Sequence, residues 1–435
     1  MTTKSDNNTL GLSAGKGLLA LSPILVFLLA YLGVSIVSHD FYKMPIAVAF
    51  IIAAVWAVIV SAGDFTKRIN VFSKGAANPD ILFMVWIFIL AGAFASLAKS
   101  IGAIDATVQL ALHYMPGGFI VAGLFIASCI ISMAVGTSVG TVTAIVPLAC
   151  QMSADTDIST AYAVAAVLCG SFFGDNLSFI SDTTIAATRT QNCKMNDKFK
   201  VNIWLAGPAA LVVIAVYLLQ HEAGTYVATS LDDLNYWLIL PYIIVIGTAM
   251  AGVNVVKVLL LGIASCLAIG MAFGSGMIDM CSSMGDGIDG MGQLITVTLL
   301  AAGLLAIIEF NGGIRYLIQV MTNRINGKKG AYATVGSLVA LVNLCTANNT
   351  IAIITVGDIA HKISKQFNLD PRKVASLLDT CSCIVQCLIP YGAQTLMAAG
   401  LAQLSPVAFL PYLYYTWALT LMVILSILFN FPRKK

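Results

Sequence analysis

The sequence predicts an all-α polytopic membrane protein made of two inverted five-span repeats, each with a re-entrant hairpin and a broken helix. Three observations carry this: an extreme apolar composition, apolar runs of span length, and two regions where such runs are interrupted by polar, glycine-rich clusters. Of 435 residues, 59% are hydrophobic and 10% charged, and the mean hydropathy is +0.91. Soluble domains carry about 25% charged residues. At roughly 1.5 Å rise per residue, a helix of about 20 residues crosses about 30 Å of hydrocarbon. Membrane β-barrels alternate polar and apolar residues, a pattern these continuous runs exclude.

Residues 1–17 are polar and read as a cytoplasmic N-terminal segment, with no small-residue cleavage pattern after the first apolar run. Ordinary spans are expected at 18–37, 45–63, 81–99, 203–220, 237–251, 254–272, 291–309 and 407–430. Regions 118–192 and 331–404 each read as a hairpin followed by one broken span, because polar clusters inside apolar runs are where a membrane helix unwinds.

Lysine and arginine set the orientation. Lys67, Arg68 and Lys74 in the loop 64–80 are expected on the cytoplasmic side. So are Arg189, Lys194, Lys198 and Lys200 after the first broken span, and Arg315, Arg324, Lys328 and Lys329 before the second hairpin. The loops 221–235 (Glu222, Asp232, Asp233) and 275–290 (Asp279, Asp286, Asp289) are placed outside. Asp155 and Asp157 follow the first hairpin, whereas His361, Lys362, Lys365, Arg372 and Lys373 follow the second, so the hairpins open to opposite sides. The expected organisation is a first repeat at 18–222, an external linker at 223–235, a second repeat at 236–430 and a cytoplasmic basic tail at 431–435. This is the layout of a secondary transporter whose site lies where broken helices meet near the midplane.

The net charge of +3, spread over short loops, argues against nucleic acid as a partner. The ten cysteines lie mostly in apolar segments without CxxC spacing, and read as buried free thiols. An intramembrane enzyme is not expected, since residues 283–286 read SMGD and 172–175 read FFGD in place of GxGD, and no HExxH is present. No cofactor is expected beyond transported or coupling Na+ and H+.

The densest polar cluster is GDNLSFISDTT at 174–184, which places Asp175, Asn176, Ser178, Ser181, Asp182, Thr183 and Thr184 together. A carboxylate at membrane depth is costly unless it faces a cavity, a cation or a partner. Carboxylate, hydroxyl and carbonyl oxygens suit a hard cation such as Na+, and desolvation also favours protonation, so cation and proton compete. Asp175 and Asp182 are the expected Na+ ligands. Thr137, Ser138 and Thr141 in GTSVGT, and Asn348, Asn349 and Thr350 in the second half, are expected at the hairpin tips as neutral ligands. The second broken helix offers Asp379, Thr380 and Gln394, with Pro390 and Gly392 at its break. Asp358 and His361 are expected to pair locally, Glu309 to be interfacial, and Tyr412, Tyr414, Tyr415 and Trp417 to form an interface belt.

At 174–184 the chain resembles the NhaC family of sodium/proton antiporters, of the wider ion transporter superfamily, whose motif reads approximately GDNxSPxSDTT. GTSVGT and LDTCSCIVQCLIPYGAQT resemble further segments of that family, nearly the whole chain following in order. Phe179 stands in place of the motif proline. The resemblance implies a cytoplasmic (inner) membrane exchanger working by alternating access, with the 174–184 cluster as its ion and proton site and a homodimer by analogy. The leading expectation is exchange of cytoplasmic Na+ for external protons. The alternative is a Na+- or H+-coupled carrier of a small carboxylate or amino acid, of the malate/lactate or amino-acid exchanger kind. With no Lys or Arg expected deep in either broken region, helix dipoles alone would face an organic anion, which favours a cation as substrate.

Overall fold

The structure, a computed structural model, describes residues 13–38, 43–114, 117–178, 181–220, 234–322 and 325–432. The first half runs through α1 (Ala14–Ser38), α2 (Ile46–Val60), α3 (Phe65–Ala76), α4 (Pro79–Ser100), α5 (Ala103–Tyr114), α6 (Ile120–Val135), α7 (Ser138–Ala154), α8 (Thr160–Leu177), α9 (Asp182–Thr190) and α10 (Met195–Leu219). The second runs through a short 3-10 turn (Tyr236–Ile239) and α11 (Leu240–Met250), α12 (Val255–Ala272), α13 (Met277–Gly290), α14 (Gly292–Phe310) and α15 (Gly313–Thr322). It continues through α16 (Gly327–Thr346), α17 (Asn349–Gln366), α18 (Pro371–Leu388), α19 (Ala393–Ala402), a 3-10 turn (Pro406–Tyr412) and α20 (Tyr414–Phe429). There is no strand among the described residues. Among the described residues seven helical segments are long and apolar enough to cross a membrane, or eight if the bent pair Pro406–Tyr412 and Tyr414–Phe429 counts as one.

The two halves repeat with a constant spacing of 211 positions. The shared helix starts Ser138 and Asn349, Thr160 and Pro371, and Asp182 and Ala393 show it. So do three left-handed turn positions: Gly63 and Gly274 (φ 98° and 86°), Gly136 and Ala347 (71° and 50°), and Asn192 and Gln403 (51° and 53°). Even the seam between hairpin and broken span recurs. Ser132 Oγ donates to the Ser171 carbonyl at 2.6 Å, and its equivalent Asn343 Nδ2 donates to the Ser382 carbonyl at 2.7 Å.

The repeats are inverted. At the start of α8, Tyr162 packs on Tyr414 at the start of α20, with ring centroids 6.1 Å apart. At the start of α18, the equivalent helix, Lys373 Nζ donates to the Ser426 carbonyl near the far end of α20, at 2.9 Å. A helix of 16 residues is about 24 Å long, so α8 and α18 enter the bundle from opposite ends.

The chain divides into two compact units, each drawing on both halves. Residues 1–78 and 299–326 form one, holding α1–α3, most of α14, and α15. Within it α3 crosses α14 so closely that a β-carbon at Gly303 would strike the Phe72 ring. Asn311 Nδ2 donates to Ser61 Oγ at 2.6 Å there. The other unit, 79–298 and 327–435, contains the equivalent crossing, α13 on α4 at Gly287 and Gly92, where a β-carbon on either would strike the other's backbone carbonyl. It also holds α6–α10 and α16–α20, and therefore both hairpins and both broken spans.

Several expectations change. The segments 64–80 and 275–290, expected as loops, are largely the helices α3 and α13; α3 is too short and polar to register as a span, whereas α13 runs into α14 within the apolar segment Met277–Phe310. Asp64 caps α3 by accepting from Lys67 N. Asp358 and His361 do not pair: Asp358 is exposed on α17, and His361 Nδ1 is buried without a partner. The aromatic group is not simply a belt, because the 58° bend before α20 turns its start inward. Tyr415 is fully buried against Phe125 and Phe173, Tyr412 and Tyr414 pack on Tyr162, and only Trp417 is exposed. Glu222, Asp232, Asp233, Arg324 and the Arg433–Lys435 tail lie outside the described residues.

Candidate functional site

The first broken span unwinds where α8 ends. Ser178 is extended (φ −70°, ψ 140°), and its Oγ donates to the Met133 carbonyl at 2.9 Å, tying the exit to α6. Gly170 and Gly174, one turn apart, let α8 lie against α6; a β-carbon at Gly174 would strike Ser132. The second broken span ends at Ile389, where Pro390 brings no N–H to continue the helix, and restarts after Gly392.

Asp175, on the last turn of α8, is 3% exposed. It accepts from Ser138 N at 3.1 Å and Ser138 Oγ at 2.5 Å, and so faces the N-terminus of α7, where helix N–H groups and dipole favour negative charge. Ser138 Oγ in turn accepts from Gln394 Nε2 at 2.9 Å, and Gln394 Oε1 from Gln386 Nε2 at 3.0 Å. Gln386 Nε2 also donates to the Ala347 carbonyl at the second hairpin tip, at 3.0 Å. Hydrogen bonds thus run unbroken from one hairpin tip to the other through the second broken span, with Asp175 of the first attached at Ser138. Gln386 is the 211-residue equivalent of Asp175.

The second part of the site was not legible as such. Lys198, expected in a cytoplasmic loop, lies on α10 and is 1% exposed. Its Nζ meets Asp379 Oδ2 at 2.5 Å, the Asn176 carbonyl at 2.7 Å and Thr184 Oγ1 at 2.8 Å. One turn along, Asn202 Nδ2 donates to the Asn176 carbonyl at 2.6 Å, while its Oδ1 accepts from Ser376 and Thr380 at 2.7 and 2.8 Å. The expectation that no cation lies deep in the broken regions is therefore wrong: a long aliphatic stem carries a lysine counted near a span end into the core. Lys198 and Asn202, four residues apart, share a helix face, which was the available signal.

The remaining candidates separate. Thr183 and Ser181 are buried with their hydroxyls 2.9 Å apart, and Asp182 is exposed on the first turn of α9. Thr141 Oγ1 turns back to the Thr137 carbonyl, Asn348 caps α17 through Ile351 N, and Asn349 Oδ1 accepts from Thr350 N. Four buried side-chain amide oxygens among the described residues, on Asn176, Gln191, Asn343 and Gln386, have no donor. Among the described residues no group of three or more His, Cys, Asp or Glu gathers into a transition-metal-type site. A cavity of about 330 Å³ between α4, α7, α13 and α19 is lined by Lys99, Gln151, Asp286 and Gln403, but by none of the candidate ligands.

The sequence profile of the Na+/H+ antiporter family matches residues 17–222 and 224–431. The chain is similar to the Na(+)/H(+) antiporter NhaC of Alkalihalophilus pseudofirmus, 24% identical over 421 residues, 88% of this chain and 89% of that one. It is also similar to the malate-2H(+)/Na(+)-lactate antiporter of Bacillus subtilis, 20% identical over 94% of both chains. The arginine/ornithine antiporter ArcD of Halobacterium salinarum is 21% identical over 78% of each.

Proposed function

The chain belongs to the Na+/H+ antiporter family, and from that membership we propose that it exchanges cytoplasmic Na+ for external protons across the cytoplasmic membrane, by alternating access, at Asp175. The observation that carries this is the charge balance at the broken spans. Asp379 is neutralised by Lys198 at 2.5 Å, which leaves Asp175, among the described residues, as the buried carboxylate without a cationic partner. A buried carboxylate must take a proton or a cation. Both use the same charge, so Na+ and H+ exclude one another and exchange follows from competition. Ser138 Oγ, and the donor-free amide oxygen of Gln386 in the same hydrogen-bonded chain, are neutral oxygens of the kind a hard cation takes. Exposed Asp182, at the start of α9, adds negative charge that attracts cations toward the site.

A second reading is a coupled carrier of a small carboxylate or amino acid. It is favoured by the names of two relatives and by the buried Lys198, which removes the argument that no positive side chain is present. Because Lys198 is already matched by Asp379, it offers an organic anion no net positive field, and the cation reading stands first. Proton flux in proteoliposomes with a trapped pH dye separates the two. Flux on adding Na+ alone supports Na+/H+ exchange, and flux that requires a carboxylate or amino acid supports the coupled carrier.

A further inference from the structure

The ammonium of Lys198 sits in surroundings that are those of a bound cation. Three oxygens converge on it from three helices: the Asn176 carbonyl on the last turn of α8 at 2.7 Å, Thr184 Oγ1 on the first turn of α9 at 2.8 Å, and Asp379 Oδ2 in the middle of α18 at 2.5 Å. They are a backbone carbonyl exposed by a helix break, a hydroxyl and a carboxylate, the set that hard monovalent cations use where discontinuous helices meet. The surrounding side chains are 0–1% exposed, and Asn202 orders the carbonyl from the other side at 2.6 Å. At the 211-residue equivalent positions the pair is absent: Leu168 stands opposite Asp379, and Phe409 opposite Lys198.

We propose that the position held by Lys198 Nζ is itself a monovalent-cation site, closed by the chain's own ammonium, so that removing this side chain opens the site to Na+. Lys198 thereby sets how many ions the chain binds: one at Asp175 in the native protein, and a second at Asp379, Asn176 and Thr184 once the lysine is gone. The native count rests on the reading of Asp175 given above, whereas the latent site does not.

The test therefore uses an Asp175→Asn background, in which the first site is removed. Purified protein is unfolded thermally in NaCl and in choline chloride at equal ionic strength. Asp175→Asn alone is expected to melt at the same temperature in both. Asp175→Asn with Lys198→Ala is expected to melt lower in choline and to recover in a saturable way with NaCl. Adding Asp379→Asn is expected to abolish the sodium response. Identical melting of the Lys198→Ala variant in the two salts overturns the proposal. If that variant is recovered folded only when purified in NaCl, the site is supported. If both Lys198→Ala and Lys198→Ser fail in either salt and are rescued only by Asp379→Asn, the proposal is overturned, because Na+ then cannot replace the ammonium. Loss of sodium-driven flux in the native protein would defeat the proposed exchange without touching this result.

Discussion

Asp175, Asp379 and Lys198 each replace a neutral equivalent in the other half: Gln386, Leu168 and Phe409. The charge of the site is thus built on one set of positions in a scaffold that is otherwise repeated. Lys198→Met leaves Asp379 buried and unpaired, which costs about 3–5 kcal/mol. Lys198→Met combined with Asp379→Leu should recover most of that loss, as read by thermal unfolding in detergent without added Na+. Ser138→Ala removes a hydroxyl 2.5 Å from Asp175 and the acceptor for Gln394. Hydrogen bonds to charged groups are worth about 1.5–3 kcal/mol, so the half-saturating Na+ concentration should rise roughly tenfold or more in vesicle flux assays. The GDNLSFISDTT and GTSVGT clusters were legible because polar residues inside apolar runs need a reason to be there. The Lys198 partnership was not, because rules for charge near span ends count a lysine by its position in the chain and say nothing of where a flexible stem carries the ammonium.

At the scale of elements, both hairpins and both broken spans follow from Gly, Pro and hydroxyl residues that interrupt apolar runs, and these were expected at 118–192 and 331–404. The short helices α3 and α13 were not expected, since twelve- and fourteen-residue segments rich in charge look like loops until a partner helix is known. Their crossings depend on glycine. Gly92→Leu should be strongly destabilising, because its β-carbon would strike the Gly287 carbonyl, which is backbone and has nowhere to rotate. Gly174→Val should act likewise at the seam of α8 with Ser132, reducing both folded yield and transport, whereas Gly15→Ala, with open space around it, should do neither. Solubilised yield and flux per molecule distinguish these outcomes.

For the whole molecule, the 211-residue spacing and the opposite approach of α8 and α18 to α20 make the two repeats equivalent and inverted. Positive-inside counting reached the inversion from loop charges alone, and the contacts of Tyr162 and Lys373 reach it independently. The expected topology follows: cysteines introduced at Asp155 and at Lys365, each exposed at the end of its hairpin helix, should react with impermeant reagents from opposite sides of the membrane. Labelling of both from one side would remove the inversion. The central claim is that one buried carboxylate serves both ions. Equilibrium Na+ binding to the purified protein as a function of pH tests it most directly. As pH falls and Asp175 is protonated, the apparent affinity should weaken, approaching about tenfold per pH unit for one proton displacing one Na+, and binding should vanish in Asp175→Asn. Sodium affinity that is independent of pH, or that persists in Asp175→Asn, would contradict it.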